Sequence, residues 1–162
     1  MVLDDEWYTP RAYIDAAATT MGAIDMDPAS SVSANSVVGA GVYYAIEDDG
    51  LKRPWRGRIW MNPPYSGCQL GTFCAKLVSE YRVGRVSEAC AFITSDTHTD
   101  WFQDLMVEAT AAFFPRGRVA FWHPRGESSN PTEGTAVVYL GPNSKRFRDA
   151  YAALAGFVVY AG

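Results

Sequence analysis

With 162 residues, the chain is long enough for one well-buried core and short for two. At 48% hydrophobic and 20% charged it has no biased tract of the kind that stays disordered, and no apolar run approaches the roughly 20 residues of a membrane span. A net charge of −4 argues against a uniformly basic nucleic-acid binder. The cysteines Cys68, Cys74 and Cys90, with His98 and His123, lack paired metal-ligand spacing, so neither a zinc site nor a disulfide framework is expected.

Thr9-Pro10 opens a helix over 11–21, with Thr9 as cap, Pro10 in the first turn and Gly22 as stop. Residues 23–26 read as a short buried strand entering the small-residue loop Asp27-Pro28-Ala29-Ser30-Ser31. A helix over 33–40 and a strand over 42–44 follow, and Asp48-Asp49-Gly50 is a turn. Residues 58–61 form a strand that must end at Asn62-Pro63-Pro64, because proline donates no ladder hydrogen bond. Phe73, Leu77 and Tyr81 give helical spacing over 72–81. Strands at 89–94, 111–114, 119–122, 136–140 and 157–160 surround a further helix at 100–109.

Strands alternating with helices, then a strand-rich tail, predict a single α/β domain over 1–162. Its sheet should be mostly parallel, with an antiparallel edge. In open sheets of that kind ligands bind outside the carboxyl ends of the strands, where both the Asp27 and the Asn62 loops fall. Charge is uneven along the chain. Residues 1–50 carry a balance of −8, whereas 51–85 hold Lys52, Arg53, Arg56, Arg58, Lys76, Arg82 and Arg85 against Glu80, a balance of +6. That segment contains the Asn62 loop and is where a phosphate backbone is expected, the plain alternative being a solvated helix face.

The tetrapeptide Asn62-Pro63-Pro64-Tyr65 suits one kind of chemistry. An exocyclic amino group on a heteroaromatic base is a poor nucleophile, because its lone pair is delocalised into the ring. Two acceptors on its two N–H bonds favour a pyramidal nitrogen and stabilise the positive charge that develops on attack. Asn62 offers a side-chain carbonyl, Pro63 a backbone carbonyl aimed by locked φ angles, and Tyr65 a face for a base taken out of its stack. The plain alternative is a proline turn with Tyr65 capping the core.

Asn62-Pro63-Pro64-Tyr65 resembles the amino-holding motif of S-adenosylmethionine-dependent amino-methyltransferases. Together with DEWYTP (5–10), IDMDPASS (24–31), YYAIEDDGL (43–51), RGRIWMNPPYS (56–66), THTDWF (97–102) and GRVAF (117–121), it makes nearly the whole chain similar to the bacteriophage-type DNA N6-adenine methyltransferase (Dam) family. The resemblance implies a Rossmann-like methyltransferase sheet, S-adenosylmethionine as cofactor and DNA as partner, with the target adenine flipped into the pocket. It implies cofactor contacts at Tyr8, Thr9 and Pro10 near the methionine end, at Asp27, Pro28, Ala29 and Ser30 in the first loop, and at Asp49, Leu51 and Asn62. It assigns catalysis to Asn62, Pro63, Pro64 and Tyr65, with no metal. A phage-encoded enzyme would work in the host bacterial cytoplasm, in line with the unpaired cysteines.

The chain departs from the family in its first loop, where Ser30 and Ser31 stand in place of glycines. With no segment for a separate target-recognition domain, sequence preference falls to loops such as 95–101 or 124–133, or is loose. Arg116, Arg118 and Arg125 are candidate phosphate contacts or simply an exposed hairpin, while His98, Trp101 and Phe102 read as loop and helix residues. Cys68 does not follow a proline, against C5-cytosine methylation. Glutamine-amide methylation uses a similar holder, N4-cytosine methylation commonly has serine for the asparagine, and a catalytically silent nucleic-acid-binding module is the alternative from another class.

Overall fold

The computed structural model describes residues 7–66, 68–123, 125–126, 128–129 and 132–161. Asp5 and Glu6 of the first motif, and Pro124, Glu127, Asn130 and Pro131 of one candidate loop, lie outside them. Five α-helices alternate with the strands of one seven-stranded sheet. In chain order these are α1 (Arg11–Met21), β1 (Met26–Asp27), α2 (Val32–Val38), β2 (Val42–Tyr43), β3 (Gly57–Met61), α3 (Gln69–Arg82), β4 (Val86–Thr94), α4 (Asp100–Glu108), β5 (Ala111–Pro115), β6 (Thr135–Leu140), α5 (Ser144–Tyr151) and β7 (Gly156–Tyr160).

Strand alternation builds the core on both faces of the sheet. Ile59, Met61, Ala89, Ala91, Ile93, Val138 and Leu140 point to the face covered by α3 and α4, where they meet Leu70, Phe73, Leu77, Phe102 and Leu105. Their neighbours Trp60, Cys90, Phe92, Val137 and Tyr139 point to the other face, under Ile14, Ala17 and Met21 of α1 and Phe147 and Tyr151 of α5. Near-continuous apolar strands of this type are what a sheet buried on both faces requires.

The spatial order is β2-β1-β3-β4-β6-β5-β7. The ladders β2-β1, β1-β3 and β3-β4 are parallel, and β4-β6, β6-β5 and β5-β7 are antiparallel. Antiparallel pairing therefore fills one whole side of the sheet and not only an edge strand. From β1 the chain moves to β2 on one side, and from β3 it moves to β4 on the other. The crevice between β1 and β3 is thus the topological switch point, outside the carboxyl ends that carry Asp27 and Asn62.

Three expectations need correction. Thr9 does not cap α1: Pro10 occupies that position, and no side chain accepts from the first turn. The segment 119–122 is not a sheet strand, because β7 already occupies the free side of β5; only Trp122 makes isolated bridges, to Tyr8 and Ser128. Helix α5 was not expected, since Phe147 and Tyr151 are its only buried residues in an otherwise polar stretch, and one i,i+4 pair is a weak periodic signal.

Candidate active site

Strand β3 delivers Asn62 to the switch point and stops there, since Pro63 and Pro64 bring no N–H to the neighbouring strand. The half-buried Asn62 donates from Nδ2 to Thr9 Oγ1 at 2.8 Å. Because the amide nitrogen is held on one side, the side-chain oxygen Oδ1 is left as the acceptor that can meet a ligand. Pro63 is buried and Pro64 exposed. The half-buried Tyr65 donates its hydroxyl to the Phe92 carbonyl at 3.3 Å and meets Phe121 edge-on, with ring centroids 6.1 Å apart. Burial pushes its phenol well above the ordinary range, so it stays neutral.

The first loop and the 43–51 segment lie side by side. Ser30 N–H donates to the Tyr44 carbonyl at 2.8 Å, and the backbone of Gly50 lies so close to Pro28 that any Cβ there would collide with the Pro28 carbonyl oxygen. Asp27 is 2% exposed, and its Oδ1 accepts from Ala29 N–H at 3.2 Å. Burial pushes its carboxyl up to about 7, partly offset by the hydrogen bonds from Ala29 and Ser30. Asp49 sits in the left-handed region at φ 51° and pairs with Lys52 at 2.8 Å, while Leu51, like Ala29 and Tyr44, packs against the core under α3 and α4. Ser31 caps α2 by accepting from Ala34 N–H at 3.1 Å.

A short ribbon covers both loops. Tyr8 and Trp122 exchange backbone hydrogen bonds of 2.8 and 3.1 Å as an antiparallel pair. Tyr8 and Trp122 meet edge to face at 4.9 Å on one face of the ribbon, where the Tyr8 hydroxyl reaches Ser31 Oγ at 3.4 Å. On the other face Trp7 opposes His123 at 5.3 Å, Thr9 holds Asn62 and Phe121 meets Tyr65. The ribbon therefore presents one face to the first loop and the opposite face to the Asn62 loop. Half-buried Pro10 follows directly as the first residue of α1's cap.

The basic segment is partly neutralised. Arg58 pairs with Asp25 through two 2.8 Å hydrogen bonds, Lys76 and Arg85 with Glu80, Arg82 with Glu108, and Lys52 with Asp49. The Arg58 guanidinium holds the Asp25 carboxyl below its usual range. Charge counting over 51–85 thus overstated the surface charge, because Asp25, Asp49 and Glu108 from other segments pair with three of the bases it counted. Arg56, Arg116 and Arg118 are exposed with no ion pair to a described residue, the latter two just beyond the carboxyl end of β5. Cys68 is exposed, whereas burial pushes the Cys74 thiol up to about 12 and Cys90 further. Among the described residues no group of His, Cys, Asp and Glu is placed to hold a metal ion, and no helix is long and apolar enough to cross a membrane.

Sequence reasoning brought Asn62, Pro63 and Tyr65 to one place, and the Asp27 and Asp49–Leu51 loops to another beside it. It missed Phe92, Trp122 and His123. The run Ala120-Phe121-Trp122-His123 was the available signal: four residues, three of them aromatic or imidazole, after a glycine-arginine turn.

No curated protein matches the chain. The sequence model of the family described as DNA N-6-adenine-methyltransferase (Dam) matches residues 2–153, nearly the whole length. The chain belongs to the Dam family of DNA N6-adenine methyltransferases.

Proposed function

We propose that the protein transfers the methyl group of S-adenosylmethionine to N6 of adenines at particular sites in DNA. The observation that carries this reading is the 2.8 Å hydrogen bond from Asn62 Nδ2 to Thr9, which occupies the amide nitrogen and leaves Oδ1 to accept from a ligand. Membership of the family supports the choice of adenine over glutamine amide or cytosine.

The residues present fit the cofactor. Gly50, where no side chain has room, lets the 49–51 segment close on Pro28. Asp27, Pro28, Ala29 and Ser30 would form its floor, Asp49 and Leu51 the adenine end, and Tyr8, Thr9 and Pro10 the methionine end. Small Ala29 and Ser30 take the place of the usual glycines and leave the backbone open to approach. When bound, the cofactor supplies an electrophilic methyl on a sulfonium sulfur.

The chain's own contribution is position and electrostatics. Asn62 Oδ1 and the Pro63 carbonyl accept the two N–H bonds of the adenine amino group, which turns its lone pair out of the ring plane toward the methyl donor. Both acceptors stabilise the charge on nitrogen as the new bond forms, and one of those protons then leaves to water. Tyr65, tied to the Phe92 carbonyl, fixes the plane against which the flipped base lies. Arg116 and Arg118, at the same end of the sheet, are placed for the phosphate backbone. No covalent enzyme intermediate is needed.

Labelled methyl transfer to plasmid DNA, followed by nucleoside analysis, tests the reading. N6-methyladenine is expected from the wild type, with a loss of at least about a hundredfold in Asn62→Ala. The variant should keep the thermal stabilisation that S-adenosylmethionine gives the wild type. Label in protein but not in DNA, or undiminished transfer by the variant, overturns it.

A further inference from the structure

His123 is 2% exposed, and its Nε2 has no hydrogen-bond partner among the described residues. Its Nδ1 accepts from the Arg125 backbone N–H at 3.2 Å, so in the neutral ring the proton resides on Nε2. A buried N–H donor without an acceptor is costly, and such groups persist where a ligand completes them. The ribbon identifies the ligand. In the antiparallel pairing about Tyr8 and Trp122, side chains alternate, and His123 shares its face with Trp7, Thr9 and Phe121. Of these, Thr9 touches Asn62 and Phe121 touches Tyr65. Two residues along an extended strand span about 6.6 Å, so His123 lies one such step from the Phe121–Tyr65 contact. The opposite face, with Tyr8 against Ser31, belongs to the first loop.

Resting on the proposed function, we infer that His123 is a specificity residue whose Nε2–H donates to a ring nitrogen of the flipped adenine. The pocket then reads the base twice. Asn62 and Pro63 accept from the amino group, and His123 donates to an in-plane lone pair at N1, N3 or N7. A site that leaves a buried donor unpaired rejects an analogue lacking the acceptor. The proton on Nε2 stays there throughout; no group is transferred to or from His123.

Duplexes carrying the sequence methylated in plasmid DNA are compared with duplexes whose target adenine is replaced by its 1-deaza, 3-deaza or 7-deaza analogue. In the wild type one analogue should lower kcat/KM about tenfold, the worth of one buried hydrogen bond, while the other two change it little. His123→Phe should lose about tenfold on adenine and nothing further on that same analogue, a coupling that a merely structural histidine does not produce. Equal losses on the analogue in both proteins, or full activity of His123→Phe on adenine, overturn the inference. If His123→Phe melts well below the wild type, the wild-type series decides alone: three analogues all methylated within about twofold of adenine also overturn it. A wild type that methylates no adenine fails the functional reading itself, a result distinct from any of these.

Discussion

At the scale of single residues, the candidate site depends on one hydroxyl that does not do the local work its position suggests. Thr9 precedes Pro10 in a sequence that reads as a helix cap, yet its Oγ1 faces Asn62, 53 positions away in the chain. The amide of Asn62 is symmetric in shape, so without that partner it can turn its nitrogen toward the substrate and present a donor where an acceptor is needed. Thr9→Val should therefore lower kcat for methyl transfer by about 10- to 100-fold with little change in KM, and cost about 1 kcal/mol of stability. Thr9→Ser, which keeps the hydroxyl, should recover most of the rate. Steady-state kinetics on the three proteins check this, and a valine variant with normal kcat would detach Thr9 from the chemistry. Nothing in the sequence around Thr9 announces its partner, because a hydrogen bond between distant segments leaves no local pattern.

At the scale of elements, the first loop and the 43–51 segment are held together by backbone contact more than by side chains. Gly50 abuts Pro28, Ser30 donates to Tyr44, and Asp48 Oδ2 accepts from Ala45 N–H at 2.9 Å, which closes the turn between β2 and β3. Gly57, at φ 78°, is glycine for a related reason: a Cβ would lie 2.7 Å from Asp25 Oδ2, the atom that anchors β1 to Arg58. Gly50→Ala should force the first loop away from the 43–51 segment at a cost of about 2–3 kcal/mol, as overpacking does elsewhere. A lower urea midpoint, together with a weaker thermal response to S-adenosylmethionine, is the expected result. Asp48-Asp49-Gly50 was readable as a turn, and Asn62-Pro63-Pro64 as the end of a strand, because turn chemistry is local. The Val119–Trp122 run was misread because strand-like alternation says nothing about whether a sheet edge is free to receive it.

At the scale of the whole molecule, buried charge ties stability to pH. Asp27 is the one described carboxyl pushed upward, to about 7 from an ordinary 3.8. Between those values the folded protein holds a proton on Asp27 that the unfolded chain has released, so stability falls as pH rises across that window and levels off above it. Three pH units at about 1.4 kcal/mol each bound the effect at about 4 kcal/mol. Asp25 and Glu80, lowered by Arg58 and Arg85, act in the opposite sense but only at lower pH, below the ordinary carboxylate range. Asp27→Asn keeps an acceptor for Ala29 and removes the titration, so its urea-unfolding free energy should change much less between pH 5 and 8 than the wild type's. An equal decline in both proteins would place the pH dependence elsewhere.

Most of the elements, and the turns that end them, were legible in the local sequence. Apolar runs of the right length made the strands, and prolines ended β3. Each of these rests on interactions within a few residues. What no local pattern carried is that β6 inserts antiparallel between β4 and β5, that Asp25, Asp49 and Glu108 offset part of the basic segment, and that Thr9, Phe121 and His123 share one face of the ribbon, where Thr9 meets Asn62 and Phe121 meets Tyr65. Those outcomes depend on which distant segments meet when both faces of the sheet are buried at once, and that is set by packing of the whole chain, not by the pattern of any part of it.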